Sequence, residues 1–212
     1  MSRLARSVAL STVLVVAALG CAGVVQTRKY PALDQAAKLG SVAVVPFEAR
    51  SRGTGALPKE GPEVSGAPVV ARQVAEALSA RGLNVIPPED VARAMSGAGL
   101  GTDAKPEAIA ALAYEKFGAN AFVTGQVWRY RDRRGANLGA SAPASVGFEV
   151  VLHSAPRPER LWSATFDETQ EPVSANLFNL GRYPGGGSRW LTADELSKWG
   201  AEGVADAFPV SP

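Results

Sequence analysis

The chain has 212 residues, 46% of them hydrophobic and 20% charged, with a formal net charge of +2. That composition excludes intrinsic disorder, and a chain of this length buries about 70% of its unfolded surface without needing disulfides. One cysteine, Cys21, and one histidine, His153, exclude a disulfide framework, a cysteine-based zinc cluster and a two-histidine relay.

The first element in chain order is a targeting signal. Arg3 and Arg6 make a positive start, and Val8–Leu19 is apolar except for Ser11 and Thr12. A run of about 12 residues is too short to span a bilayer core of ~30 Å but suits the apolar region of a secretory signal. It ends at Ala18-Leu19-Gly20-Cys21. This segment resembles the lipobox of bacterial lipoproteins, although Ala18 and Leu19 stand where Leu and a small residue are usual. The resemblance implies cleavage between Gly20 and Cys21, diacylglycerol on Cys21 as the new N-terminus, and a palmitate-type acyl anchor. Ala22 is not Asp, which in such lipoproteins implies the outer membrane, facing the periplasm. A cleaved signal with an incidental cysteine, or an uncleaved anchor, would use the same apolar run. The only thiol at the one position lipid attachment requires favours the lipoprotein. Removing residues 1–20 also removes two arginines and no acids, leaving 20 basic and 20 acidic residues. The basic pI of 8.8 therefore supplies no argument for a nucleic-acid partner.

Residues 21–40 read as a lipidated N-terminus and tether, with a short helical turn near Leu33–Leu39, and 41–212 as a single periplasmic domain. Val42–Phe47 is a β-rich apolar run with Pro46 near its end, a buried strand. Glu48–Ala67, rich in glycine and proline, reads as a long loop of the kind that often carries function. Pro68 then opens a helix that runs to Gly82 and aligns Val70, Val74, Ala77 and Leu78 on one face. Leu83–Ile86 is a second strand, so strand, helix and strand form a parallel crossover unit. Pro88–Met95 is a short helix, Ser96–Thr102 a glycine-rich loop, and Pro106–Phe117 a longer helix stopped by Gly118. Three strands follow over Ala121–Arg131, Ser145–Ser154 and Arg160–Asp167, the last two joined as a hairpin. Thr192-Ala193-Asp194-Glu195 is a capping-box pattern that opens a last helix packing through Leu196, Trp199, Gly203 and Val204, with Pro209 after it.

Three local patterns stand in order: Val42–Phe47, Gly82-Leu83-Asn84-Val85-Ile86, and Gly118-Ala119-Asn120-Ala121-Phe122-Val123-Thr124-Gly125-Gln126-Val127. Together they resemble the α/β domain shared by the curli secretion lipoprotein CsgG, the N-terminal domain of TolB and the lipoprotein LpoB, from Val42 to about Phe166. Leu161–Pro172 and Arg189–Leu196 are similar to a group of uncharacterised deltaproteobacterial lipoproteins. The resemblance implies an α/β (borderline α+β) fold, a mixed sheet of about five strands with packed helices in an anticodon-binding-like, TolB-N-terminal-like layering.

Catalytic motifs are sparse. His153 and Glu149 share a strand face, but four residues along a strand is about 13 Å. They form no acid–base pair within that strand, and His153 reads as a surface or edge histidine. Gly185-Gly186-Gly187-Ser188-Arg189 lacks the Gly-Lys-Ser/Thr ending of a phosphate loop and reads as a turn, and no nucleophile elbow exists. Asp167, Glu168 and Glu171 lack calcium-loop spacing and read as a solvated strand end. The most pointed feature is Trp128-Arg129-Tyr130-Arg131-Asp132-Arg133-Arg134. Strict alternation puts Arg129, Arg131 and Arg133 on one side and Trp128 and Tyr130 on the other, a surface suited to lipid phosphate, peptidoglycan or an acidic partner; the alternative is a solvated strand end. The expectation is a non-catalytic envelope lipoprotein, without cofactor or metal, that binds an envelope protein or peptidoglycan and is compatible with homo-oligomers. The alternative is a subunit of a CsgG-like secretion channel, for which the Ser145–Asp167 hairpin has the length of a membrane-spanning pair.

Overall fold

The computed structural model describes residues 25–35, 38–50, 62–101, 103–136, 139–171, 183–184 and 189–209. Cys21 and Gly185–Gly187, which the sequence reads as a turn, lie outside them. The fold is α/β with a mixed sheet, as the sequence implies. Its strands are β1 (Gln26–Lys29), β2 (Ser41–Val44), β3 (Glu48–Ala49), β4 (Asn84–Ile86), β5 (Ala121–Arg131), β8 (Ser145–Ser154) and β9 (Arg160–Thr169). They run in the order β1-β9-β8-β5-β2-β4, with β3 also on β5. A separate ribbon, β6 (Arg134–Ala136) with β7 (Gly139–Ala142), links β5 to β8.

The sheet has two halves. β2, β4 and the start of β5 are parallel, whereas β5, β8, β9 and β1 are antiparallel. Helices α1 (Pro62–Ala80) and α4 (Ala193–Ala207) cover one face along both halves. Val70, Val74 and Leu78 of α1 meet Leu196 and Val204 of α4 over Val146, Phe148, Val150, Trp162 and Phe166. Phe166 packs tilted on Phe148 at 5.3 Å and edge-on to Trp199 at 5.8 Å. Helices α2 (Pro88–Gly97) and α3 (Pro106–Phe117) cover the other face only over the parallel half, where Val91, Met95, Ile109 and Ala113 bury Ala43, Val45 and Phe122.

Several boundaries differ from the sequence reading. Residues 21–40 are not wholly a tether: Gln26–Lys29 pairs antiparallel with Lys29 opposite Trp162, and Pro31–Gln35 forms a 3-10 turn. The four strand residues are all exposed and carry no apolar alternation, because an edge strand is held by its backbone ladder. Within Glu48–Ala67, β3 continues along β5 and α1 begins at Pro62, so that Pro68 lies inside the helix. An interior proline leaves the Val64 carbonyl without its donor and crowds it with the ring, and the packing of Val70, Val74 and Leu78 on the sheet holds the helix together around it. The Val42–Phe47 run splits at Pro46 for the same lack of a donor, yet Val45 still donates to Val123 at 2.9 Å and Arg50 to Val127 at 2.8 Å. The Ser145–Asp167 hairpin lies inside the sheet, β8 being paired on both sides and β9 held between β8 and β1. With Val146, Phe148, Leu152, Trp162 and Phe166 buried in the core, it is not available as a membrane-spanning pair. Among the described residues no helix is long and apolar enough to cross a membrane.

Candidate functional site

The Trp128–Arg134 segment does not alternate as the sequence expects. A bulge between Val127 and Arg129 puts Arg129 opposite Gly147 and Tyr130 opposite Val146. An extra residue in one strand reverses the facing of all that follow. Tyr130 consequently packs beneath α1 and α4 against Gly66, and burial raises its phenol above the ordinary range. Trp128 lies over Gly147, where any larger residue would collide with the indole. Arg129 pairs with Asp167, and Arg133 donates to the Trp190 carbonyl at 2.6 Å. Asp132 accepts from the Ala193 N–H at 3.0 Å, a carboxylate at the positive end of α4. The segment thus buttresses α4, and of the five residues singled out from it only Arg131 is exposed.

The capping box completes that junction. Thr192 Oγ1 accepts from the Glu195 N–H at 3.1 Å, and Glu195 Oε2 accepts from the Thr192 N–H at 2.9 Å. The Thr192 N–H, with a further contribution from Arg189, holds the Glu195 carboxyl below the usual range. The acids read as a solvated strand end are engaged as well. Asp167 is paired as described, and Glu168 accepts from the Tyr183 hydroxyl at 2.7 Å. Among the described residues no group of His, Cys, Asp and Glu is arranged to hold a metal ion.

The candidate site lies elsewhere, where α2 and α3 stop and the open antiparallel half begins. A cleft of about 500 Å³ opens there. Ala92 and Met95 of α2, Leu100 and Ala104 of the following loop, and Pro106 and Ile109 of α3 form one apolar wall; Val45, Pro46, Glu48 and Arg50 form the other. The floor comes from Thr124 and Gln126 of β5, Glu149, Val151 and His153 of β8, and Arg160 of β9. Register explains the floor. Glu48 pairs with Gln126, Gln126 with Glu149, Glu149 with Thr165, and Thr165 with Gln26, so one polar row crosses five strands. Directly paired residues share a face, and this row faces away from α1 and α4.

His153 corrects the sequence reading: it is 8% exposed on an interior strand, not a surface or edge histidine. Its ring stacks on Phe122 at 4.8 Å with an interplanar angle of 11°, and Nε2 lies 3.2 Å from Thr124 Oγ1. Burial, aided by the Arg160 charge, lowers its pKa to about 4, so the imidazole is neutral at physiological pH. Glu48 is paired with Arg50 at 3.0 Å. The Glu149 carboxylate has no hydrogen-bond or ion-pair partner among the described residues. The arrangement can hold a molecule between an apolar wall and a hydrogen-bonding floor. Strand alternation alone places Glu149, Val151 and His153 on one face; only the packing of α2 and α3 beside it makes that face the floor of a cleft.

No protein-family model matches the chain, and no curated protein matches it. Among solved structures it is similar to the PelC dodecamer from Paraburkholderia phytofirmans, at 14% identity and a TM-score of 0.48, covering 89% of this chain and 98% of that one. It is similar to lipoprotein GNA1162 from Neisseria meningitidis at 20% identity and a TM-score of 0.46, covering 68% of this chain and 89% of that one. The C-terminal domain of LpoB from Salmonella enterica matches at 18% identity and a TM-score of 0.39, covering 64% and 89% respectively.

Proposed function

We propose that the protein is an outer-membrane lipoprotein, anchored through Cys21, whose periplasmic domain is a non-catalytic binding module for an envelope protein or peptidoglycan. The observation that carries this reading is the position of the only thiol, directly after an Arg-led apolar run of signal-peptide length. Two or three acyl chains would anchor the chain stably, each buried CH₂ contributing about 0.8 kcal/mol. The distance from Cys21 to the first strand residue, Gln26, supports a close attachment. Five residues span at most about 18 Å, and β1 is bound to β9 from Gln26 onward. The domain would stand directly on the membrane surface rather than on a long tether. Within it, the cleft over β5 and β8 is the surface offered to a partner, and the exposed Arg131 is a second contact point.

Metabolic labelling with a fatty acid tests the anchor. The wild-type chain takes up label and fractionates with the outer membrane, and Cys21→Ala abolishes the label. Undiminished labelling of Cys21→Ala, or fractionation of the wild type with the soluble periplasm, would sink the reading.

A further inference from the structure

The free edge of the sheet at β1 gathers positive charge. Arg28 pairs directly with Ser163 of β9 and shares its face. Tyr30 follows on that same face, and its N–H donates to the Leu161 carbonyl at 3.0 Å. Arg160 opens β9 beside them. The Ser163 hydroxyl, with the Arg28 and Arg160 guanidiniums, donates to the Tyr30 oxygen and holds that phenol below its ordinary range. Lys29, on the opposite face of β1, and Arg157, in the turn before β9, extend the patch, and all four basic side chains are exposed. The same two segments carry Asp34 and Glu159, but none of the four cations is joined to a carboxylate among the described residues. Arg50, Arg81, Arg93, Arg129 and Arg189 elsewhere in the domain are each paired with one.

Guanidiniums without carboxylates suit phosphate, which accepts parallel N–H bonds from the arginine fork. Position decides which phosphate. The link from Cys21 to Gln26 spans at most about 18 Å, and β1 is unpaired on its outer side. The β1 edge is therefore the part of the sheet nearest the acylated residue. From Gln26 to Tyr30 the strand covers about 13 Å along that edge, so Arg28, Lys29 and Tyr30 stay close to the same surface. A tyrosine among cations also suits the headgroup layer, where the ring meets hydrocarbon and the hydroxyl meets water.

We propose that the β1 edge is a docking surface for anionic phospholipid, with Arg28 and Arg160 on headgroup phosphates and Lys29 and Arg157 adding charge beside them. This deepens the anchor reading and rests on it. The lipid on Cys21 brings the edge to the bilayer, and the basic edge fixes how the domain sits there, with β1 toward the membrane. Each such charge near an anionic surface strengthens contact by about fivefold.

The test reconstitutes the full acylated chain into vesicles of phosphatidylcholine alone, and of phosphatidylcholine with about one-third phosphatidylglycerol, both carrying a nitroxide-headgroup lipid as quencher. Acylation consumes the Cys21 thiol, so Thr27→Cys supplies the one thiol for a fluorophore, on the exposed strand β1. In this background quenching should be at least about twofold greater with phosphatidylglycerol. The gain should vanish near 1 M salt, where the Debye length is about 3 Å. Arg28→Gln combined with Arg160→Gln should remove it too, and the salt arm reads the same contact in the parent should that variant fold poorly. Arg93→Gln, on α2 over the parallel half, should leave the gain intact. Equal quenching in the two vesicles, a gain that survives high salt, or a folded double variant that keeps the gain would overturn the surface. Flotation separates the two failures. A chain that floats with both vesicles and is quenched equally has its anchor and lacks this surface; a chain that floats with neither lacks the anchor and overturns both.

Discussion

The two faces of the sheet are built from the same strands and treated differently. Against α1 and α4, Phe148, Phe166, Leu152 and Trp162 are fully buried, and even the polar contacts there are satisfied internally: Ser197 Oγ donates to Gln73 Oε1 at 2.7 Å, and Gln73 Nε2 donates to Asp194 Oδ1 at 3.0 Å. On the opposite face α2 and α3 seal the parallel half and stop, leaving Gln126, Glu149 and Thr165 in a polar row only partly buried. The difference has a thermodynamic logic. An antiparallel sheet tolerates one wet face, whereas parallel strands are covered on both. The antiparallel half can therefore spend one face on recognition while the other carries the packing that keeps the domain folded.

The strongest way to break this contrast is to truncate one side chain on each face. Trp162, 0% exposed and edge-on to Phe208 at 5.3 Å, should cost about 3–5 kcal/mol as Trp162→Ala. Gln126→Ala on the open face should stay within about 0.5 kcal/mol. Urea denaturation of both variants measures the gap; similar losses would mean that the open face is as structural as the sealed one.

His153 tests the boundary between the faces. Its folded pKa of about 4 lies below the unfolded value of 6.5, so between these values the unfolded chain binds more protons. Stability is then complete above about 6.5 and falls as the pH drops toward 4, by up to about 3 kcal/mol. His153→Gln should flatten this dependence in urea midpoints taken across the window. An unchanged slope in the variant would assign the acid sensitivity to other groups.

The smallest effect concerns how α4 is docked. Thr192→Ala removes the acceptor for the Glu195 N–H and should cost about 1 kcal/mol. Because the Glu195 carboxyl is depressed in the fold chiefly by the Thr192 N–H, its contribution is present at neutral pH. It is lost as the pH falls through its folded value. A Thr192→Ala chain as stable as the parent would show that packing of Leu196 and Val204 alone seats the helix.

Much of the fold was legible because each signal was local. The 3.6-residue period of Val70, Val74 and Leu78 announced α1, and all three are fully buried. Gly118 stops α3 in the left-handed region at a φ of 63°, and the Thr192–Glu195 capping box formed as its residue types dictate. The illegible parts depended on partners distant in sequence. β1 has no pattern of its own and exists only because β9 offers it a ladder. The bulge at Trp128 is invisible to an alternation argument, yet it turns Tyr130 into the core and binds Arg129 to Asp167. The cleft required knowing that β3, β5 and β8 align Glu48, Gln126 and Glu149 beside Met95 and Ile109.

By itself, the sequence determined the α/β class, the main helices and strands, and the singular position of Cys21 behind an apolar run. Those features rest on contacts or chemistry within a few residues. Only the tertiary structure decided which sheet face stays open, why a lone histidine is neutral, and which side chains line the cleft beside α2 and α3. Each of these is set by register and layer coverage, and the energies of burial and charge pairing depend on neighbours that chain order does not bring together.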